Sequence, residues 1–125
     1  MSTQCGIAIK TNEGFETIYV HSDGYPDYMW PMLTENYNSN ELATQLVSLG
    51  DASYIAENIA TDKPHTFNNP QWNTSCFYHR DRGEKWEDVA PTIYKTLKEL
   101  SNSFYYSYVW KDNCWHFYKG GVKVY

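Results

Sequence analysis

Length, composition and charge limit what this chain can be. It has 125 residues, the size of one ordinary domain, and 42% of them are hydrophobic, which is enough for a single core. The formal net charge is −5, so the chain lacks the basic field of a general nucleic-acid-binding protein. No signal-peptide pattern opens the sequence, and no apolar run approaches the roughly 20 residues of a membrane span. We therefore expect one soluble cytoplasmic domain over 1–125 that binds no membrane.

Aromatic residues and cysteines narrow the class further. Aromatic residues make up 18% of the chain, with 12 Tyr, 5 Trp and 5 Phe. Tyr and Trp need a partner for their polar atom when buried, so this composition suits half-solvated faces or a contact surface. The cysteines are Cys5, Cys76 and Cys114. Their odd number and wide spacing favour buried, reduced thiols over a disulfide framework or a zinc site.

The N-terminal half predicts a hairpin followed by three helices. Residues 5–11 and 15–21 are β-prone runs around a turn that contains Gly14, which is the pattern of a β-hairpin. Pro31 fits only the first turn of a helix, so we expect the first helix to begin late. The three helices are predicted at about 30–37, from Ser39 or Asn40 to Gly50, and at 52–60 with Asp51 as its cap.

The C-terminal half predicts a loop, a strand, one long helix and a meander. Prolines and asparagines mark residues 61–72 as a loop. Apolar residues at helical spacing predict a helix over 86–101. The predicted strands are 73–80, 104–110, 114–118 and 122–125, and residues 81–84 form a charged turn after the first of them. In the strand 104–110, aromatic residues occupy both parities, so it is either covered on both faces or exposes a contact surface.

This order of elements predicts the fold class. Strands and helices cluster along the chain and do not alternate strictly. We therefore expect an α+β fold, in which an antiparallel sheet is built from the N-terminal hairpin, the central strand and the C-terminal meander. The helices are expected to pack on one face of this sheet.

The candidate functional residues lie at the ends of two predicted strands. The first set is His21, Asp23, Tyr25, Asp27 and Tyr28, and the second set is His79, Arg80, Asp81, Arg82 and Glu84. If the two strands are neighbours, both sets meet at one edge of the sheet. If the strand 73–80 continues to 82, Arg80 and Arg82 point to the same side, and their planar guanidiniums would grip carboxylates or phosphates.

Plainer roles fit the same residues. Asp23-Gly24 is typical of a turn, a histidine at a strand end is commonly a hydrogen-bonded structural residue, and 81–84 suits a solvated turn with local ion pairs. A metal-dependent hydrolase centred on His21, Asp23, His79 and Asp81 is a third possibility, but the two His-x-Asp pairs are common patterns. We therefore predict no catalytic residue, no metal and no cofactor.

Several motifs together resemble a family of small, mostly uncharacterised bacteriophage and prophage proteins. The matching stretches are IYVHSDGYPDY (18–28), LVSLGDASYI (46–55), PHTFNNP (64–70) and HRDRGE (79–84). The family pattern runs from a hairpin through His-x-Asp-Gly-Tyr-Pro and Leu-Gly-Asp-x-Ser to Arg-Asp-Arg-Gly-Glu. Ser22 departs from it where an aromatic residue is expected, and 28–30 replace a stretch that contains glycine.

The resemblance implies a phage-encoded accessory protein that acts in the cytoplasm of the infected cell. Such proteins usually act by binding, so the resemblance implies a non-enzymatic modulator or inhibitor of a host or defence-system protein. The sequence is also compatible with a homo-oligomer. The alternative is a protein that sequesters a nucleotide or another small signal molecule, using Arg80, Arg82 and neighbouring rings. The hydrolase is the least favoured of the three hypotheses.

Overall fold

The computed structural model describes residues 2–61, 65–66 and 70–125, and its centre is an eight-stranded, mostly antiparallel sheet. The strands are β1 (Cys5–Thr11), β2 (Gly14–Val20), β3 (Ala52–Tyr54), β4 (Cys76–Phe77), β5 (Thr92–Tyr94), β6 (Tyr106–Lys111), β7 (Cys114–Lys119) and β8 (Val122–Lys123). The helices are α1 (Pro26–Asn36), α2 (Asn40–Ser48), α3 (Tyr78–Arg82), α4 (Trp86–Val89) and α5 (Leu97–Ser103). The predicted α+β class is confirmed.

The N-terminal hairpin lies at the centre of the sheet. The strand order is β4-β3-β2-β1-β6-β7-β8. Strands β5 and β3 share one edge of β2, where β5 pairs with its first half and β3 pairs with its last residue, Val20. The pairs β1–β6 and β2–β3 are parallel, and all other pairs are antiparallel. Ile7 of β1 stands between Ile18 of β2 and Tyr108 of β6, so the first and last thirds of the chain meet in the core.

Alternation along the strands sends side chains to two separate cores. Ile7 packs with Met29 and Leu33 of α1 and with the buried stripe of α2. Ala8 faces the other way and packs with Leu100 of α5. The helices are therefore divided between the two faces and not gathered on one. Of the strand predicted at 104–110, residues 107–110 are accordingly buried on both faces, whereas Tyr105 is 59% exposed.

The first helix begins earlier than the sequence indicates. It starts at Pro26, and Pro31 lies inside it. Pro31 has no N–H to donate to the carbonyl of Asp27. Because Asp27 is exposed, a water molecule can donate a hydrogen bond to that carbonyl instead. The first helical turn forms before Pro31, because the amide of Met29 donates to the carbonyl of Tyr25 at 2.9 Å. The predicted second helix is confirmed, with Ser39 as its cap accepting from the amide of Leu42.

Three other predicted elements are wrong. Residues 52–60 do not form a helix, because Ala52 pairs with Val20 in the sheet. The predicted strand 73–80 is reduced to Cys76–Phe77, because the chain turns into α3 at Tyr78. The predicted helix 86–101 is divided into α4, β5 and α5. Of the predicted loop 61–72, residues 62–64 and 67–69 lie outside the described residues, and so does part of the motif 64–70.

Candidate functional site

The turn after β2 is built from structural contacts. Asp23 has a φ of 60°, so it is Asp23 and not Gly24 that takes the left-handed conformation. Gly24 is needed for a close approach, because a Cβ there would lie 2.6 Å from the Cβ of Cys5. Its amide donates to the carbonyl of Thr3 at 2.8 Å, and its carbonyl accepts from the hydroxyl of Tyr108 at 2.8 Å. The predicted turn is therefore a fixed part of the core.

The side chains of the first set point to different surroundings. His21 is half-buried, and its Nδ1 shares a 2.6 Å hydrogen bond with the hydroxyl of Tyr19. Tyr28 donates its hydroxyl to the carbonyl of Ile55 at 2.6 Å, and burial raises the pKa of Tyr28. The exposed members of the set are Asp23, Tyr25 and Asp27.

Strand β3 separates the two sets. The amide of His21 donates to the carbonyl of Ala52 at 3.0 Å on one edge of β3. The amide of Tyr78 donates to the carbonyl of Asp51 at 3.1 Å on the other edge. Because β3 runs parallel to β2 and antiparallel to β4, residues 21 and 22 run beside β3 on one edge, and the chain leaves its other edge at Tyr78, beside the start of β3. The two sets therefore lie on opposite edges of one strand.

The arginines of the second set lie on a helix and not on a strand. The expectation that Arg80 and Arg82 extend from one strand face is wrong, because residues 78–82 are α3. Arg80 forms a two-point ion pair with Asp81, from Nε to Oδ1 at 2.9 Å and from its terminal nitrogen to Oδ2 at 3.0 Å. Asp81 also accepts from the amide of Phe77 at 2.8 Å, so this pair fixes the start of the helix. The guanidinium of Arg82 lies over the ring of Tyr78, 5.4 Å from its centroid.

The chain between α3 and α4 closes on itself. Gly83 ends α3 in the left-handed conformation, with a φ of 73°, and its amide donates to the carbonyl of His79 at 3.2 Å. The Nδ1 of His79 donates to the carbonyl of Glu84 at 2.7 Å. The ring of His79 also meets Trp86 edge-on at 5.3 Å. No residue of α3 is buried, and Trp86 is 41% exposed. We call residues 78–88 the α3–α4 corner.

A second group of polar side chains lies beneath this corner. A ring nitrogen of His65, the Sγ of Cys76 and a carboxylate oxygen of Asp81 all lie within 4.8 Å of one another. His65 and Cys76 are buried, and burial raises the pKa of the Cys76 thiol while the Arg82 guanidinium acts against that rise. Sequence reasoning missed this group because its members are 11 and 5 residues apart, which matches no ligand spacing. Cys5 is buried as expected, but Cys114 is exposed.

Comparison with known proteins adds no relative. No protein-family model, curated protein or solved structure matches this chain. Among the described residues, no helix is long and apolar enough to cross a membrane. The functional argument therefore depends on the geometry and on the motifs.

Proposed function

We propose that this protein acts by binding another protein through the α3–α4 corner. The observation that carries the proposal is that this segment forms two helical turns although none of its residues belongs to either core. Nine of its eleven residues are exposed, and the other two, Tyr78 and Asp81, are half-buried. Fixing a residue's backbone costs roughly 1–2 kcal/mol, and a five-residue helix cannot offset that cost alone. The corner is held instead by dedicated contacts, of which the Arg80–Asp81 pair and the His79–Glu84 hydrogen bond are the clearest.

The side chains that the corner presents are those that anchor protein interfaces. Tryptophan and arginine are enriched at the energetic centres of interfaces, where a ring fills a pocket and a guanidinium orients the partner. Trp86 leaves 41% of its surface open, and Arg82 lies against the ring of Tyr78. Charged residues of both signs surround them, as in the polar rim of a transient interface. These exposed neighbours are Glu84, Lys85, Glu87 and Asp88.

The motif resemblance supplies the biological setting of the proposal. The motif at 79–84 that resembles the phage and prophage family falls within the corner. We infer a phage-encoded accessory protein that is not an enzyme. It would act in the host cytoplasm, where it binds and modulates or inhibits a host or defence-system protein.

Two observations favour protein binding over the alternatives. A nucleotide site built on paired arginines would need Arg80, but its guanidinium is already engaged by Asp81 and by the carbonyl of Ser75 at 3.2 Å. A hydrolase built on His21 and His79 would need two histidines in one pocket, and β3 lies between their segments.

The test is binding to a purified partner. A partner would be captured from infected-cell lysate, identified, produced separately and titrated by calorimetry. Trp86→Ala should weaken its affinity by about thirtyfold or more, which corresponds to the roughly 2 kcal/mol of an interface anchor. Because Trp86 also lies close to Gly50, Arg82→Ala provides a second test of the corner, and the thermal melt of each variant establishes that it is folded.

The matched control is Ile93→Ala. Ile93 is 44% exposed on β5, outside the corner, and its loss should leave the affinity unchanged within about twofold. A partner that binds both corner variants as tightly as the parent protein would refute the proposed surface. A nucleotide that copurifies with the protein and raises its melting temperature would support the sequestering alternative instead.

A further inference from the structure

His65, Cys76 and Asp81 bring three kinds of donor atom to one place. They offer an imidazole nitrogen, a thiol sulfur and a carboxylate oxygen, all within 4.8 Å of one another. His65 belongs to the segment before β4, Cys76 is the first residue of β4, and Asp81 is in α3. The group therefore lies where three separate pieces of chain meet.

One atom of this group has an unusual environment. His65 is only 8% exposed, and its Nδ1 accepts a hydrogen bond from the amide of Gln71 at 2.8 Å. Its Nε2 is buried and has no hydrogen-bond partner among the residues that the structure describes. Buried polar atoms are almost always paired, so an unpaired nitrogen on an imidazole ring that lies beside a thiol and a carboxylate suggests a ligand that completes the site.

We propose that His65, Cys76 and Asp81 bind a zinc ion, with water at the fourth position. Nitrogen and sulfur donors together select zinc over calcium or magnesium, which take oxygen ligands. Around a tetrahedral ion with bonds of about 2.0–2.3 Å, the ligand atoms stand roughly 3.3–3.7 Å apart. A contraction of about an ångström from the present spacing, by side-chain rotation, forms the site.

The carboxylate can bind zinc without giving up its structural contacts. Oδ2 of Asp81 accepts from the amide of Phe77 and from Arg80, while Oδ1 accepts from the Nε of Arg80. A carboxylate oxygen has two lone-pair directions, so Oδ1 retains one for the ion. The start of α3 therefore remains fixed while zinc binds.

Zinc binding moves two protons. The amide of Gln71 donates to Nδ1, so the ring proton of neutral His65 is on Nε2. When zinc takes Nε2, that proton transfers to Nδ1 and the amide of Gln71 must turn away. The thiol of Cys76 loses its proton to solvent, and the resulting thiolate offsets the approach of a dication to the arginines of α3. The net change is one proton released for each zinc bound.

The proposed ion would join His65 to β4 and α3, beneath the α3–α4 corner. This inference does not depend on the binding function, because its test measures metal and not a partner. The protein, freed of metal by chelation, is titrated with Co²⁺ and with Zn²⁺. We expect one ion per chain, tetrahedral Co²⁺ absorption with a thiolate-to-cobalt charge-transfer band, and a tenfold rise in zinc affinity for each pH unit while the thiol is protonated.

Three variants decide whether the ion is at this site. His65→Gln and Cys76→Ser should each lower zinc affinity by more than the 10- to 100-fold that loss of an outer-shell partner typically costs. The matched control is Cys114→Ser, which removes the exposed thiol that lies 3.4 Å from Nε2 of His116. This control should bind zinc as the parent does.

The same titration can overturn the inference. Absence of one-to-one binding refutes it, and so does a charge-transfer band that survives Cys76→Ser and disappears in Cys114→Ser. If Cys76→Ser does not fold, His65→Gln decides the question, because His65 lies outside every helix and strand and Gln offers an acceptor for the amide of Gln71.

Discussion

At the scale of single residues, Asp51 joins the α3–α4 corner to strand β2. Its Oδ1 accepts from the amide of Tyr19 at 2.9 Å, its amide donates to the carbonyl of Val89 at 2.8 Å, and its carbonyl accepts from the amide of Tyr78 at 3.1 Å. The sequence predicts Asp51 as a helix cap. The chemistry of that prediction is right, because a carboxylate does accept a backbone amide, but the amide comes from 32 residues away.

Replacing Asp51 by Asn should make stability less dependent on pH. Burial raises the pKa of Asp51, and the Glu84 carboxylate adds to this rise, so the folded chain holds the proton more tightly than the unfolded chain. Protonation of Asp51 therefore contributes to the free energy of unfolding. This contribution is complete below the unfolded pKa of about 3.9 and is lost as the pH rises through the folded pKa. Asn keeps the acceptor for Tyr19 without the charge.

We therefore expect Asp51→Asn to be more stable than the parent at pH 7 and equal to it near pH 3.5. The gain should be below about 1 kcal/mol, because Asp51 is only half-buried and solvent screens it. Urea unfolding at both pH values measures it, with Asp88→Asn as the exposed control. A loss of stability at pH 7 would mean that the charge of Asp51 is paired and stabilising.

At the scale of elements, apolar spacing alone predicts one helix over 86–101, but two local signals within this range oppose it. The run Thr92-Ile93-Tyr94, directly after Pro91, has the β-prone composition of a strand, and it pairs with Phe15–Thr17 of β2. Thr96 and Glu99 form the pattern of a helix start, and α5 begins directly after Thr96. By contrast, the partner of β5 is distant in the sequence and could not be read from it.

The cap of α5 gives a prediction at this scale. The hydroxyl of Thr96 accepts from the amide of Glu99 at 3.2 Å, and the carboxylate of Glu99 accepts from the amide of Lys95 at 2.9 Å. Thr96→Ala should therefore lower the free energy of unfolding by about 0.5–2 kcal/mol. Thr44→Ala, at an exposed position inside α2, should change it by less than about 0.5 kcal/mol. Equal effects of the two substitutions in urea unfolding would show that the cap contributes nothing.

At the scale of the whole molecule, the class was predictable and the topology was not. Clustered strands and helices indicated α+β, and the hairpin and meander were recognised from their turns. The parallel pair β1–β6 joins residues about a hundred positions apart, and no local pattern marks it. The two sets of candidate residues show the same limit of the sequence. Their positions after predicted strands follow from local patterns, but no local pattern predicts that β3 lies between those strands.

This topology predicts that both cores unfold together. Strand β1 carries Ile7 in the first core and Ala8 in the second, so the same strand supports both faces. Leu33→Ala in the first core and Leu100→Ala in the second should each cost about 2–5 kcal/mol, because both leucines are fully buried. Leu42→Ala, at a leucine that is 37% exposed on α2, is the matched control and should cost clearly less.

Each core variant should shift one cooperative transition that tryptophan fluorescence and far-ultraviolet circular dichroism report at the same midpoint. The shared strand is the physical reason, since β1 cannot lose its pairing with β2 or β6 without exposing both sets of buried side chains. If Leu100→Ala instead produces an early transition seen only by circular dichroism, α5 unfolds alone. The chain would then consist of more than the single cooperative domain that its length predicts.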